Sequence, residues 1–111
     1  MSDILVVEDE AIIRTALKRL LERHHYQVAE AGSVSEACER HNLDNFDLII
    51  SDLRLPGEPG TELIRRAANT PVLIMTSYAS LRSAVDSMKL GAVDYIAKPF
   101  DHDEMVETVQ R

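Results

Sequence analysis

Short apolar runs that stop abruptly on polar residues constrain this chain more than any other feature. Ile4-Leu5-Val6-Val7 stops at Glu8-Asp9-Glu10, Leu48-Ile49-Ile50, within a strand expected from Phe46 to Ser51, stops at Ser51-Asp52, and Val72-Leu73-Ile74-Met75 stops at Thr76-Ser77-Tyr78. Val93-Asp94-Tyr95-Ile96-Ala97 is more mixed and ends at Lys98-Pro99-Phe100. An unbroken apolar run suits a strand buried on both faces, as in a parallel sheet. Tyr26 to Glu30 alternates weakly and reads as a further, edge-like strand.

Helical periodicity fills every interval between these strands. Ile12, Ile13, Ala16, Leu17, Leu20 and Leu21 form one stripe, closed by His24-His25. Ser33 with Glu36 makes a capping box opening a helix through about Asn42, with Val34, Ala37 and Cys38 inward. A short helix begins at Gly60-Thr61, turns Leu63, Ile64 and Ala67 inward and stops near Pro71. The next carries Leu81, Ala84, Val85 and Met88 at core spacing, with Gly91 where a C-terminal cap belongs. Met75 and Met88 read as core filler, and Asp101 with Glu104 caps a last helix holding Met105, Val106 and Val109. Strict strand–helix alternation predicts an α/β fold, a five-stranded parallel sheet covered by five helices on both faces. Right-handed crossovers leave few topologies to consider.

A length of 111 residues suits a single domain spanning 1–111. No apolar run approaches a membrane span, and no signal-peptide pattern opens the chain. The single cysteine, Cys38, excludes an internal disulfide and favours a cytoplasmic location. A net charge of −7 and no basic run longer than Arg65-Arg66 argue against direct nucleic-acid contact. The acidic balance suits a cation or a basic protein partner instead.

In a parallel sheet all strand C-termini face one way, where open α/β sheets place their chemistry. Glu8-Asp9, Asp52, Thr76-Ser77 and Lys98 are therefore expected in one crevice. Taken alone, Asp52 before Pro56-Gly57 is an ordinary turn residue; the other strand ends change that reading. Glu10 suits the positive end of a helix dipole, and His41 has a dipole role at most. The adjacent His24-His25 lacks the one-face spacing of metal ligands. Three clustered carboxylates repel, and all-oxygen ligands select Mg²⁺, or Mn²⁺, over zinc. Such a site points to phosphoryl chemistry with a carboxylate nucleophile. Asp52 is expected to attack phosphorus, with Asp9 on the metal directly and Glu8 assisting through water. The Arg54 backbone carbonyl is a further candidate ligand, while Lys98 and Thr76 would hold phosphoryl oxygens.

These residues resemble the receiver domain of bacterial two-component response regulators. The resemblance runs from Asp3 to the end of the chain and rests on Ile4–Glu10, Leu48–Gly57, Met75–Tyr78 and Asp94–Phe100 together. It implies a flavodoxin-like sheet of order 2-1-3-4-5 and Mg²⁺-dependent transfer of a phosphoryl group to Asp52 from a sensor histidine kinase. It also implies a switch formed by Thr76 and Tyr95, metal binding by Glu8 and Asp9, phosphate contact by Lys98, and a cis Lys98-Pro99 peptide.

The stretch from Tyr78 to Ala92 is similar to receivers attached to enhancer-binding transcription activators with AAA+ domains. The chain stops at Arg111, two to three turns into its last helix, so it is expected to be the N-terminal part of a longer response regulator. A stand-alone receiver acting through protein contacts is the alternative. The partners implied are the kinase, the chain's own output domain or a downstream protein, and a second copy on phosphorylation, with no membrane contact. Two departures stand out. Thr61 to Pro71 is shorter than usual, predicting a clipped third helix. Arg54 and Tyr78, each two positions past Asp52 and Thr76, occupy positions that tune dephosphorylation in the family; a bulky Tyr78 predicts slow hydrolysis. No residue is positioned to drive fast turnover, so the chain is expected to be a phosphoacceptor rather than an enzyme. A metal-dependent phosphohydrolase would place a second acid where Arg54 stands, and a flavin-binding reading lacks a phosphate-cradling loop after the first strand.

Overall fold

The computed structural model describes residues 2–77 and 79–110. The strands are β1 (Asp3–Val7), β2 (Gln27–Ala31), β3 (Leu48–Asp52), β4 (Val72–Thr76) and β5 (Asp94–Ala97). They alternate with α1 (Ala11–Arg23), α2 (Val34–Arg40), α3 (Glu62–Arg66), α4 (Leu81–Leu90) and α5 (His102–Gln110). All pairings are parallel, in the order β2-β1-β3-β4-β5. The expected architecture and strand order are those observed.

Alternate residues of the central strands feed two separate cores, which is why their sequences read as unbroken apolar runs. Leu5, Val7, Ile49, Val72 and Ile74 pack with Val34, Ala37, Leu63 and Ala67 on the face bearing α2 and α3. Ile4, Val6, Ile50, Leu73, Met75 and Ile96 pack with Leu17, Leu20, Leu21, Met105 and Val106 on the face bearing α1 and α5. Burying each Val, Leu, Ile or Met among them is worth about 1.5–3 kcal/mol. The expected caps are present: the Glu36 N–H donates to Ser33 Oγ at 3.1 Å and the Glu104 N–H to Asp101 Oδ1 at 2.7 Å. Gly91 caps α4 at φ 112°, where a side chain would be strained. The Lys98-Pro99 peptide is cis, as the resemblance implied.

Several details differ from expectation. β2 is shifted by one residue, and Tyr26 packs into the α1/α5 core instead. α2 ends at Arg40, and a 3₁₀ turn at Leu43–Asn45 buries Leu43 before β3 begins. His41 does more than face a helix end: its ring packs edge-on to Phe46 with centroids 5.6 Å apart. Cys38 is half-buried against the core rather than enclosed by it.

The largest correction concerns α4. Leu81, Val85 and Met88 are 83%, 42% and 47% exposed, so Met88 is not core filler. The helix turns its small residues to the interior, with Ser87 buried and Ser83 and Ala84 half-buried. Periodicity identified an apolar face but not the side that meets the sheet. Ile12 is likewise exposed, at the outer rim of α1 beside Ile13, Pro99 and Phe100. α3 spans only five residues, the clipped helix expected from the short Thr61–Pro71 segment.

The loop after β3 folds back against the strand it leaves. The Gly60 N–H donates to the Leu53 carbonyl at 2.9 Å, and a Cβ on Gly60 would fall on the Asp52 carbonyl oxygen and Ser51 Oγ. No other side chain fits without moving the backbone of Asp52. Gly60→Ala is therefore expected to destabilise the chain by about 1–3 kcal/mol, the usual range for overpacking. Urea unfolding would read this; an unchanged midpoint would refute the close approach.

Candidate functional site

Parallel registry brings the polar strand ends together. Val7 pairs with Ser51 and Asp52 with Met75, so Glu8, Asp52 and Thr76 follow one another across the sheet edge. Thr76 pairs with Ala97, which sets Lys98 just beyond. Glu8 and Thr76 are fully buried, Asp52 is nearly so, and Asp9 is exposed at the mouth. One oxygen from each of Glu8, Asp9 and Asp52 lies within 4.8 Å of the others.

Lys98 reaches into the centre of this cluster. Its Nζ donates to Glu8 Oε1 at 2.7 Å and to Asp52 Oδ2 at 3.1 Å, so one ammonium bridges two carboxylates. Asp52 Oδ1 accepts the Arg54 N–H at 3.4 Å. Arg54's side chain is exposed, and it is the Arg54 amide that contacts the carboxylate here. Asp52 thus has both oxygens engaged and still faces the cluster.

Burial is the largest influence on Glu8 and pushes its carboxyl up to about 7 from an ordinary 4.5; the Asp52 charge adds to this and the Lys98 bond opposes it. For Lys98, burial alone would lower the ammonium, but its bonds to Glu8 and Asp52 outweigh burial and raise it. Lys98 therefore stays charged. Among the described residues, Glu8 Oε2 is buried without a hydrogen-bond partner. A buried carboxylate oxygen without a partner is costly. A hard cation, or water on one, would satisfy it, and an all-carboxylate donor set of this size suits Mg²⁺. The residues present fit that ion.

Tyr95 sits on the α2/α3 face, half-buried against the core. Its hydroxyl donates to Ser83 Oγ of α4 at 2.9 Å, not to water as a bare strand aromatic would. Ser83 carries no pattern that sequence reasoning could have caught. Gly60 and Ser51 were also missed: Ser51 Oγ donates to the Asp52 carbonyl at 2.9 Å, and its only trace is a hydroxyl inside an apolar run. Tyr78, expected to tune dephosphorylation, lies outside the described residues.

Comparison with known proteins agrees with this fold. Residues 4–110 match the response regulator receiver domain family. The chain is 40% identical to the transcriptional regulatory protein ZraR of Escherichia coli K12, over 98% of this chain and 26% of that protein. It is 34% identical to sporulation initiation phosphotransferase F of Bacillus subtilis, over 97% of this chain and 90% of that one. A response regulator from Burkholderia pseudomallei, solved with a phosphorylated aspartic acid, calcium ion and citrate, superposes with a TM-score of 0.83 at 30% identity. That match covers 99% of this chain and 71% of the other. The chain thus spans about a quarter of the length of ZraR.

The raised Glu8 carboxyl has a consequence for stability. Between pH 4.5 and about 7 the folded chain binds a proton at Glu8 that the unfolded chain has released. Stability from this group is therefore fully present below 4.5 and lost as pH rises towards 7. In chelator, the urea midpoint of the wild type relative to Glu8→Gln is expected to fall across that window. A difference that stays flat from pH 4.5 to 8 would contradict the assignment.

Proposed function

The chain belongs to the response regulator receiver family, and from that membership we propose that Asp52 is its phosphoacceptor. Phosphorylation on aspartate is general to the family, as is Mg²⁺ binding at an acidic pocket. The observation that carries the assignment is Asp52's buried position at a sheet edge, bonded to Lys98 Nζ at 3.1 Å within the carboxylate cluster.

The proposed chemistry follows from those groups. An Asp52 carboxylate oxygen attacks phosphorus of a phosphohistidine on a sensor kinase. The P–N bond breaks, the imidazole leaves with the electron pair, and an acyl phosphate remains on Asp52. Glu8, Asp9 and Asp52 would hold Mg²⁺, with the Arg54 carbonyl as a further candidate; Mn²⁺ would serve as well. When bound, the cation supplies positive charge to the phosphoryl oxygens. Lys98 is bonded to Glu8 and Asp52 in the resting chain and would exchange the Asp52 contact for a phosphoryl oxygen. Thr76 would donate its hydroxyl to another.

Drawing Thr76 towards the new anion frees space for Tyr95 to turn inward, releasing Ser83. The phosphoryl group shifts populations only by its differential affinity for the two arrangements. The reshaped surface is that of α4 and β5, where Leu81, Val85, Met88, Leu90 and Val93 are exposed. Such a face suits contact with the chain's own output domain, a downstream protein or a second copy. The likeness to ZraR supports residues 1–111 as the receiver of a longer transcription regulator acting in the cytoplasm. The likeness to phosphotransferase F over nearly its whole length keeps the stand-alone alternative in view. Arg54 in place of a second acid supports a phosphoacceptor with weak self-phosphatase activity over a hydrolase.

Incubation with Mg²⁺ and acetyl phosphate is expected to add one phosphoryl mass to the wild type and none to Asp52→Asn. A retained mass gain in Asp52→Asn would refute the assignment. Ser83→Ala, which frees the Tyr95 hydroxyl, is expected to change the α4 and β5 amide NMR shifts towards those of the phosphorylated wild type. Shifts confined to the substitution site would argue against that link.

A further inference from the structure

Arg14 lies outside the carboxylate cluster, on the first turn of α1, yet its side chain is committed to the backbone that carries two of the acids. Its guanidinium donates from Nη1 to the Glu8 carbonyl at 2.7 Å, a short charge-assisted bond. The same side chain lies with Nε 3.5 Å from Glu30 Oε1 on β2, and Lys18 Nζ stands 3.6 Å from Glu30 Oε2. Helical side chains lean towards the helix N-terminus, which is how a residue six positions past Glu8 returns to it.

The bonded carbonyl belongs to the peptide that joins Glu8 to Asp9. β1 ends its ladder at Val7, paired with Ala31, and the Glu8 N–H still donates to the Ala31 carbonyl at 3.0 Å. The pairing of β1 with β3 also ends at Val7, opposite Ser51, and Arg14 supplies the donor that the Glu8 carbonyl takes. Rotation of this one peptide would swing the buried Glu8 and the exposed Asp9 relative to each other. Glu30 stands beside the guanidinium as a charge contact, with no hydrogen bond to Arg14 Nε among the described residues, so the Glu8 carbonyl is the hydrogen-bond partner that orients the side chain and Glu30 adds attraction from β2.

We propose that Arg14 is a positioning residue for divalent-cation binding, holding the Glu8–Asp9 peptide so that both carboxylates converge with Asp52, with Glu30 adding attraction from β2. The inference rests on the Mg²⁺-binding reading of the site. It runs against simple electrostatics, which gives the test its sign. Removing a cation beside an acidic cluster should by charge alone tighten Mg²⁺ binding. Loss of a group that orients ligands weakens binding, typically by 10–100-fold.

The test is Mg²⁺ titration by calorimetry on the wild type, Arg14→Ala, Arg14→Lys and Glu30→Gln, with Mn²⁺ binding followed by electron paramagnetic resonance as a second readout. Urea unfolding in chelator reports the fold of each variant. Arg14→Ala is expected to weaken Mg²⁺ about 10-fold, and Glu30→Gln by a smaller factor. Arg14→Lys, which keeps a donor and the charge, should recover part of the loss. Unchanged or tighter binding in Arg14→Ala, with or without reduced stability, overturns the inference. If Arg14→Ala does not fold, unchanged binding in folded Glu30→Gln overturns it. A wild type that binds no Mg²⁺ would sink the metal reading itself, whereas normal wild-type binding with indifferent variants sinks only the role of Arg14.

Discussion

One ammonium shared between two buried carboxylates is the interaction on which the site depends. Lys98 arrives from the end of β5, Glu8 from the end of β1 and Asp52 from the end of β3, separated by up to 90 residues in sequence. Without that bridge, two carboxylates enclosed at a sheet edge would repel and protonate. With it, the cluster persists but incompletely, since Glu8 Oε2 stays without a partner among the described residues and the Glu8 carboxyl is raised. The arrangement leaves one buried carboxylate oxygen that a cation would satisfy.

The rest of the fold supplies the rigidity that this arrangement needs. A sheet buried on both faces fixes the relative heights of its strand ends, because a slip of one residue would exchange the two core faces. Small, specific contacts then set the loops. Gly60 allows the β3–α3 loop to lie against the Asp52 carbonyl, and Arg14 ties the acidic turn to β2. α4 is different in kind. Only Ser87 on it is buried, its large apolar side chains face outward, and the Tyr95–Ser83 bond is a polar link between it and β5. Elements with few buried apolar contacts open at low free energy. A switch that acts through α4 has little packing to disrupt.

Much of this was legible in the residues. Unbroken apolar runs announced strands buried on two faces, and Ser33 with Glu36, Asp101 with Glu104 and Gly91 marked helix ends through local bonds that need no tertiary partner. Glu8, Asp9, Asp52, Thr76 and Lys98 were found because parallel strands oblige their C-termini to share an edge. Leu81, Val85 and Met88 were assigned to the core because periodicity reveals an apolar stripe and not what covers it. Ile12 failed for the same reason. Ser83, Gly60 and Arg14 matter through partners 12, 8 and 6 residues away, respectively, in Tyr95, Asp52 and Glu8.

The sequence by itself therefore determined the α/β alternation, the parallel sheet, the family resemblance and the set of residues brought to one edge. These follow from periodicity, capping and strand direction, all properties of contiguous segments. Tertiary structure alone decided that Lys98 bridges Glu8 and Asp52, that Tyr95 is held by Ser83, and that α4 presents its apolar side to solvent. Each of those is a distance between segments remote in the chain, fixed by how two cores pack on one sheet, and no local pattern encodes it.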